Sequence, residues 1–459
     1  MRSPLLSTLL SFILLFSDSR VHATPASYAN LFVDPNFIVA RHFANNTQAA
    51  QQTIVSWAQE LAAQGPWTVM AKNVTPPSGD KHDYMSWAPY WWPDCSKVGN
   101  TTALTPEQIW TTCPYVPRDG QFNPDRLQYT DDDGNFQSLA DAVLYNSMAY
   151  AFVGNTSNQF SKAAVSFIDT WFLNNATKMN PNLNYAQMER GPTGQTGTHT
   201  GILDLKCMAK ITTAILVFRK SKCTDWTSDL DVQMNAWIQQ YTTWLETASI
   251  ALQEAFSNNN HGSYYYNQLA SLKLLLSDIN GARNVTDTYF NTIYKAQIIA
   301  SGEQPFEAVR THPYHYRAYN LAAMITNARI AAYTGESNVW NKTTTQGATI
   351  QTALDFAMTI PASKSNETND TSELYSIVAD IAATYGDPHG KYITFLSAGE
   401  PNYTSDGFFL WDQPLPGGEN GSSGSTPTTK SSSVTQNRSL AGAMVSAVLA
   451  VAVGFILGL

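Results

Sequence analysis

From Ala140 to Tyr385, apolar residues recur at steps of three and four, which is the period of an α-helix with one buried face. The periodic segments run Ala140 to Phe152, Lys162 to Phe172, Ile202 to Arg219, Leu230 to Phe256 and Ser263 to Leu276. Thr286 to Ile299, Arg317 to Tyr333, Ala348 to Ile360 and Leu374 to Tyr385 follow. Turn clusters separate them at Gly154-Asn155, Asn180-Pro181-Asn182, Ser257 to Asn260, Asn280-Gly281 and Gly335-Glu336. Helix, short loop and helix repeated over this length predict an all-α array. Helix pairs of this kind stack into an open solenoid or close into a ring. No strict repeat of the solenoid type is visible. The expectation is therefore an (α/α)n toroid, or an incomplete barrel of helical hairpins, with long cleft-lining loops.

Two stretches refuse the helical period. Asn73 to Asp133 is dense in Pro, Gly, Trp and Tyr, and Asn180 to Thr200 is rich in Gly and Thr. Long irregular segments inside a domain usually carry function or are disordered. Trp87, Tyr90, Trp91 and Trp92 argue against disorder.

The two ends read differently from the middle. Arg2, the apolar run Leu5 to Phe16 and Val21-His22-Ala23 form a secretory signal pattern over 1–23. Residues 416–439 are a Ser/Thr/Gly-rich linker, and 440–459 are apolar without a charge. Small residues, a polar spacer and an apolar tail are the pattern of a GPI-anchor signal. One domain, 24–415, is expected between them. The chain should then be extracellular, meeting the membrane only through a C-terminal lipid anchor. Sequons at Asn73, Asn100, Asn175, Asn284, Asn341 and Asn402 suit that compartment. Four cysteines in an oxidising compartment should pair, and the shortest loops join Cys95 to Cys113 and Cys207 to Cys223. No spacing fits a zinc site. Asp131-Asp132-Asp133-Gly134 fails as an EF-hand because Tyr129 and Ala140 stand where its first and last ligands belong. No metal or other cofactor is expected. A net charge of −9 without basic patches excludes nucleic acid as a partner. A monomer is expected.

Four constellations could carry chemistry. The first runs from His82 through Tyr84, Trp87 and Tyr90 to Trp91-Trp92, whose aromatic faces would suit stacking on sugar rings. The second is Asn259-Asn260-His261-Gly262 at a helix start. One Asn there is an ordinary N-cap. His261 at the same junction makes, with Asn260 and backbone N–H groups, a place for an anion. The third is Glu303 to Asn320, where Arg310, Tyr314, His315 and Tyr316 crowd a helix start. A tyrosine lowered in pKa by nearby cations can act as base, and in its neutral form as acid. The fourth, Tyr185 to Asp204, supplies Gln187, Arg190 and His199 as candidate ligands from a cleft-lining loop.

In this order the motifs resemble the alginate-lyase superfamily. The resemblance rests on His82-Asp83-Tyr84 with Ala88-Pro89-Tyr90-Trp91-Trp92-Pro93-Asp94, then Arg118-Asp119-Gly120-Gln121 and Asn123-Pro124. Tyr185-Ala186-Gln187, Thr200-Gly201-Ile202-Leu203-Asp204, Asn260-His261-Gly262 and Gln304-Pro305 through Arg310 to Tyr316 and Asn320 continue it. It implies an (α/α)n toroid and metal-free β-elimination on mannuronan, alginate or glucuronan. Asn260 and His261 would neutralise the uronate carboxylate, Tyr316 would be catalytic acid and base, and Arg310 an orienting cation. Tyr314, two residues earlier, is the alternative catalytic tyrosine. Two other classes stay open. A toroidal glycoside hydrolase would need two carboxylates flanking the bond, with Glu189, Asp204, Glu303 and Glu307 available. A non-catalytic wall-binding protein would need only the aromatic loop and the anchor.

Overall fold

The computed structural model describes residues 24–99, 104–154 and 158–415. The expected signal, linker and anchor segments lie outside the described residues. Among the described residues no helix is long and apolar enough to cross a membrane. The sequon residues Asn73, Asn175, Asn284, Asn341 and Asn402 are all exposed.

The longer helices are α1 (Gln48–Gln64), α2 (Asp132–Val153), α3 (Gln159–Ile168), α4 (Met208–Ser221), α5 (Ser228–Thr247) and α6 (Asn260–Leu275). They continue as α7 (Ile279–Asn291), α8 (Pro313–Tyr333), α9 (Ile350–Ala357), α10 (Tyr375–Tyr385) and α11 (Lys391–Gly399). Even-numbered helices from α2 to α10 pack side by side, and the odd-numbered ones lie outside them. The chain thus forms an α/α toroid, as the loop-and-helix pattern predicts. Burial explains the two layers. α5 buries Met234, Trp237, Ile238, Tyr241, Thr242 and Leu245, a single stripe that faces inward. In α4 every residue from Met208 to Phe218 is buried, because an inner helix meets neighbours on all sides.

Inner helices buried all round must satisfy their polar groups among themselves. Lys210 of α4 donates to Asp141 of α2 at 2.7 Å, and Asn327 of α8 to the Ser263 carbonyl of α6 at 2.9 Å. The N-terminal segment enters the ring too: Asn30 donates to Asn267 at 3.0 Å, and the Val33 N–H to Thr213 at 3.2 Å. Tyr28 reaches Asp406 at 2.7 Å, and the short helix Phe408–Trp411 packs on both α10 and α1. The C-terminal elements therefore span from the last inner helix back to the first outer one.

Several boundaries differ from the sequence pattern. Leu230 to Phe256 is two helices, α5 and Ser249–Ala255, broken at Ala248, whose backbone is extended. Asn280-Gly281 does not break a helix. It lies in the first turn of α7, where Asp278 caps the Gly281 N–H at 2.8 Å. α8 begins at Pro313, which fits the first helical position, so Tyr314 to Tyr316 are helical.

The irregular stretches hold short strands, β1 (Met85–Trp87), β2 (Trp91–Pro93), β3 (Tyr115–Pro117) and β4 (Tyr185–Met188). β1 pairs in parallel with β4, and β2 antiparallel with β3, Trp92 facing Val116. Cys95 and Cys113 form a disulfide at the mouth of the β2–β3 hairpin. The expected Cys207–Cys223 bridge is absent: both thiols are free and buried. The whole of α4 lies between them, and a helix of its length spans ~20 Å, far beyond disulfide reach. Cys207 instead donates to Gln137 at 2.9 Å.

Candidate active site

The β1–β4 layer and the loops above it cover one end of the toroid, where several inner helices begin. A cavity of about 290 Å³ lies there. Asp133 comes from the start of α2, Thr200 to Lys206 from the 3-10 turn leading into α4, Asn260 and His261 from the start of α6, and His315, Tyr316 and Tyr319 from α8. Tyr90 and Trp91 close it from the aromatic loop. A larger chamber of about 610 Å³ shares Lys206, His315 and Tyr319 with it.

Tyr316 is the centre of the polar contacts. Its hydroxyl receives a hydrogen bond from Arg310 Nη2 at 2.9 Å and lies 3.1 Å from the Tyr90 hydroxyl. The Arg310 guanidinium also stands 3.8 Å from the Tyr316 ring centroid. Asp119 holds Arg310 at 3.2 Å and the Thr311 N–H at 3.3 Å. Gly120, at φ 74°, permits that approach, since a Cβ there would lie 2.6 Å from Thr311 Cγ2. The expectation of a tyrosine lowered in pKa is not met. Burial raises Tyr316 well above the ordinary range, Tyr90 adds to it, and Arg310 offsets only part. The resting hydroxyl is therefore neutral. Tyr314 faces away: two residues along a helix turn the side chain by about 200°, and its hydroxyl donates to the Thr371 carbonyl at 3.1 Å.

Behind the cavity lies Glu254, a buried carboxylate the motif reading passed over. Its oxygens stand 2.7 Å from His261 Nδ1 and 2.7 Å from His199 Nδ1. With Nδ1 of each ring donating, Nε2 is the nitrogen left to act on a ligand. The hydrogen bond to Glu254 raises the His199 pKa. Burial alone would raise Glu254, but His261 and the two imidazole hydrogen bonds bring it net below its usual value. The donor atoms of His199, Glu254 and His261 lie within 4.8 Å of one another, a spacing open to a cation. Two charge-assisted hydrogen bonds account for the same geometry.

Asn260 is fully buried, and Glu307 accepts from its backbone N–H at 2.7 Å and from one Nδ2 hydrogen at 2.7 Å. Asn260 Oδ1 has no partner. His315 is paired with Glu373 at 2.8 Å and lines both cavities. Gln187 lines the smaller one and donates to Asp204 at 2.7 Å.

The aromatic loop divides. Tyr90 and Trp91 line the cavity, and Trp92 is half-buried with its N–H on the Gln121 carbonyl at 2.8 Å. Tyr84 and Trp87 are core residues with 0% and 2% exposure, so neither offers a face to a sugar. Tyr84 instead donates to Asp204 at 3.0 Å. Arg190 is likewise buried, its guanidinium 4.1 Å from the Trp87 ring and 4.2 Å from that of Tyr115. That sandwich stiffens the β1–β4 layer, and Arg190 is not free to bind a ligand. His82 holds the Lys178 carbonyl at 2.6 Å, and Tyr185 packs beside Met85 and Met188. Neither of these lines the cavity. Three of the carboxylates considered for a hydrolase are otherwise engaged, Asp204 by Tyr84 and Gln187 among them. Glu303 grips Arg317 with both oxygens at 2.7 Å, and Glu307 holds Asn260.

The family model for alginate lyase matches residues 68–368. Among solved structures, an alginate lyase from Bacteroides ovatus is 27% identical, with a TM-score of 0.71, over 83% of this chain and 97% of that one. An alginate lyase A1-III variant complexed with tetrasaccharide is 13% identical, with a TM-score of 0.42, over 77% of this chain and 91% of that one. No curated protein sequence matches.

Proposed function

Since the chain belongs to the alginate lyase family and is a polysaccharide lyase, we propose that it cleaves a β-1,4-linked polyuronate, glucuronan or mannuronan, by β-elimination at Tyr316. The observation carrying this reading is the Tyr316 oxygen, with Arg310 Nη2 at 2.9 Å and the Tyr90 hydroxyl at 3.1 Å, in one cavity with Asn260 and His261. Elimination begins by removing the C5 proton beside the carboxylate. The carboxylate must be neutralised so that the developing carbanion is stabilised. Asn260 and His261 are the residues proposed for that role, with Glu254 holding the His261 ring in orientation.

In gluco- and manno-configured uronates the C5 hydrogen and the C4 oxygen lie on one face of the ring. A single tyrosine oxygen can then take the proton and pass it to the departing oxygen. Tyr316 must first release its own proton to solvent, which burial opposes. Arg310, which donates to the Tyr316 oxygen at 2.9 Å and offsets part of that burial, is the group able to stabilise the phenolate. The same neutral hydroxyl, reformed on C5 deprotonation, is the acid for the leaving group. His199 and His315 are proposed to contact neighbouring parts of the polymer. The protein is further proposed to act outside the cell, held by a lipid anchor. The 1–23 and 416–459 patterns and the Cys95–Cys113 disulfide support this.

The test is ultraviolet absorbance of the protein with glucuronan, polymannuronate and polyguluronate separately. A rise on glucuronan or polymannuronate is expected, from the unsaturated uronate end. New reducing ends without absorbance would replace elimination by hydrolysis. Tyr316→Phe should lower kcat by about 10²–10⁴-fold with little change in polymer binding. Undiminished turnover in that variant would remove Tyr316 from the chemistry.

A further inference from the structure

We propose that Glu307 is a positioning residue that takes up a proton when a uronate binds, so that it donates to Asn260 Oδ1 and the Asn260 Nδ2 group turns to the uronate carboxylate. This rests on the reading of Asn260 as a ligand of that carboxylate.

Glu307 is fully buried on the short helix Pro305–Ala308, and both its oxygens accept from one residue, Asn260. That arrangement commits one of the two Nδ2 hydrogens to Glu307 and leaves Asn260 Oδ1 buried without a partner. With Glu307 ionised, the uronate would add a second negative charge to a buried spot already holding one. The groups acting on Glu307 are His261 and Tyr264 of α6, Tyr289 of α7 and Arg310 beyond its own helix. Two of these groups are engaged elsewhere, the His261 ring by its hydrogen bond to Glu254 and Arg310 by its ion pair with Asp119. Among the described residues none makes an ion pair with Glu307. Like charges sharing a site keep a proton between them.

One proton from solvent resolves every term. A Glu307 hydroxyl donates to Asn260 Oδ1, the other Glu307 oxygen keeps the Asn260 backbone N–H, and both Nδ2 hydrogens are released to the ligand. Burial already raises the Glu307 carboxyl above its usual range, although the Asn260 hydrogen bonds oppose this.

The experiment is calorimetric binding of a uronate oligosaccharide that the wild type cleaves. It uses Tyr316→Phe protein in two buffers of different ionisation enthalpy. Uptake approaching one proton per bound oligosaccharide is expected, and its loss in Glu307→Gln/Tyr316→Phe. Correspondingly, the wild-type KM should rise by up to about tenfold per pH unit once Glu307 ionises, and this limb should vanish in Glu307→Gln. Uptake that survives in the double variant would place the proton on another group and overturn the inference alone. A wild type without lyase activity on any polyuronate would overturn the underlying reading with it. Should Glu307→Gln fail to fold, difference infrared spectra of the Tyr316→Phe protein decide the question. A carboxylic-acid carbonyl band must appear on binding, and its absence sinks the proposal.

Discussion

Asp204 sits under the cavity at 2% exposure and accepts from Tyr84, Ser86 and Gln187, with no cation bonded to it among the described residues. Burial, with Asp133 nearby, pushes its carboxyl up to about 6, above an unfolded value of about 3.9. The native state keeps a proton that the unfolded chain has released, so this contribution is full below about pH 4 and lost as pH rises through about 6. Asp204→Asn should therefore remove a fall in stability across that window. Urea midpoints at several pH values check this, and an unchanged slope would show that Asp204 does not titrate there. At this scale the sequence was partly legible. Asn260, His261, Arg310 and Tyr316 stood out as polar groups crowded at helix starts, and the cavity gathers all of them. Tyr84, Trp87 and Arg190 misled, because an irregular loop has no period from which to tell an inward ring from an outward one. Glu254 and Glu307 were passed over as orienting groups for a related reason. A carboxylate becomes one only when the fold buries it against a particular partner.

Elements are tied together by a few buried polar contacts, and the junction of α2 with the aromatic loop is the clearest. Lys72 and Asp132 form an ion pair at 3.0 Å with no side-chain exposure, and Asp132 also accepts the Met85 N–H of β1 at 2.9 Å. Burial drives the two partners toward neutrality from both sides, lowering Lys72 and raising Asp132 to about 7. Removing one partner leaves the other uncompensated. Lys72→Met should cost about 3–5 kcal/mol in denaturant unfolding, and Lys72→Met/Asp132→Leu clearly less. Equal losses in the two would mean the pair is not coupled. The helical periods were readable because each outer helix needs one apolar stripe. Their ends were less so: Ala248 breaks one apolar run and Pro313 opens another, and neither changes the hydrophobic period.

At the scale of the molecule, closure of the ring depends on its two ends. Tyr28 meets Asp406, Arg329 of α8 holds Asp380 at 2.8 Å and also Asp412, and Phe408, Phe409 and Leu410 are buried. A chain ending at Gly418 should keep its lyase activity and thermal midpoint. One ending at Glu400 should lose several degrees at least, by exposing that cluster. Equal midpoints would mean the terminal elements do not brace the toroid. The α/α architecture follows from the sequence itself, because helical periodicity and short turns are local and leave hairpins few ways to bury their stripes. The family resemblance is equally local, carried by short motifs in fixed order. What the tertiary structure alone decided is which groups meet. It seated Glu254 behind two imidazoles, set Tyr316 in the cavity with Tyr314 turned away, and kept Cys207 and Cys223 a helix apart. Those outcomes depend on burial and on contacts between residues distant along the chain, and neither is a property of any short stretch of sequence.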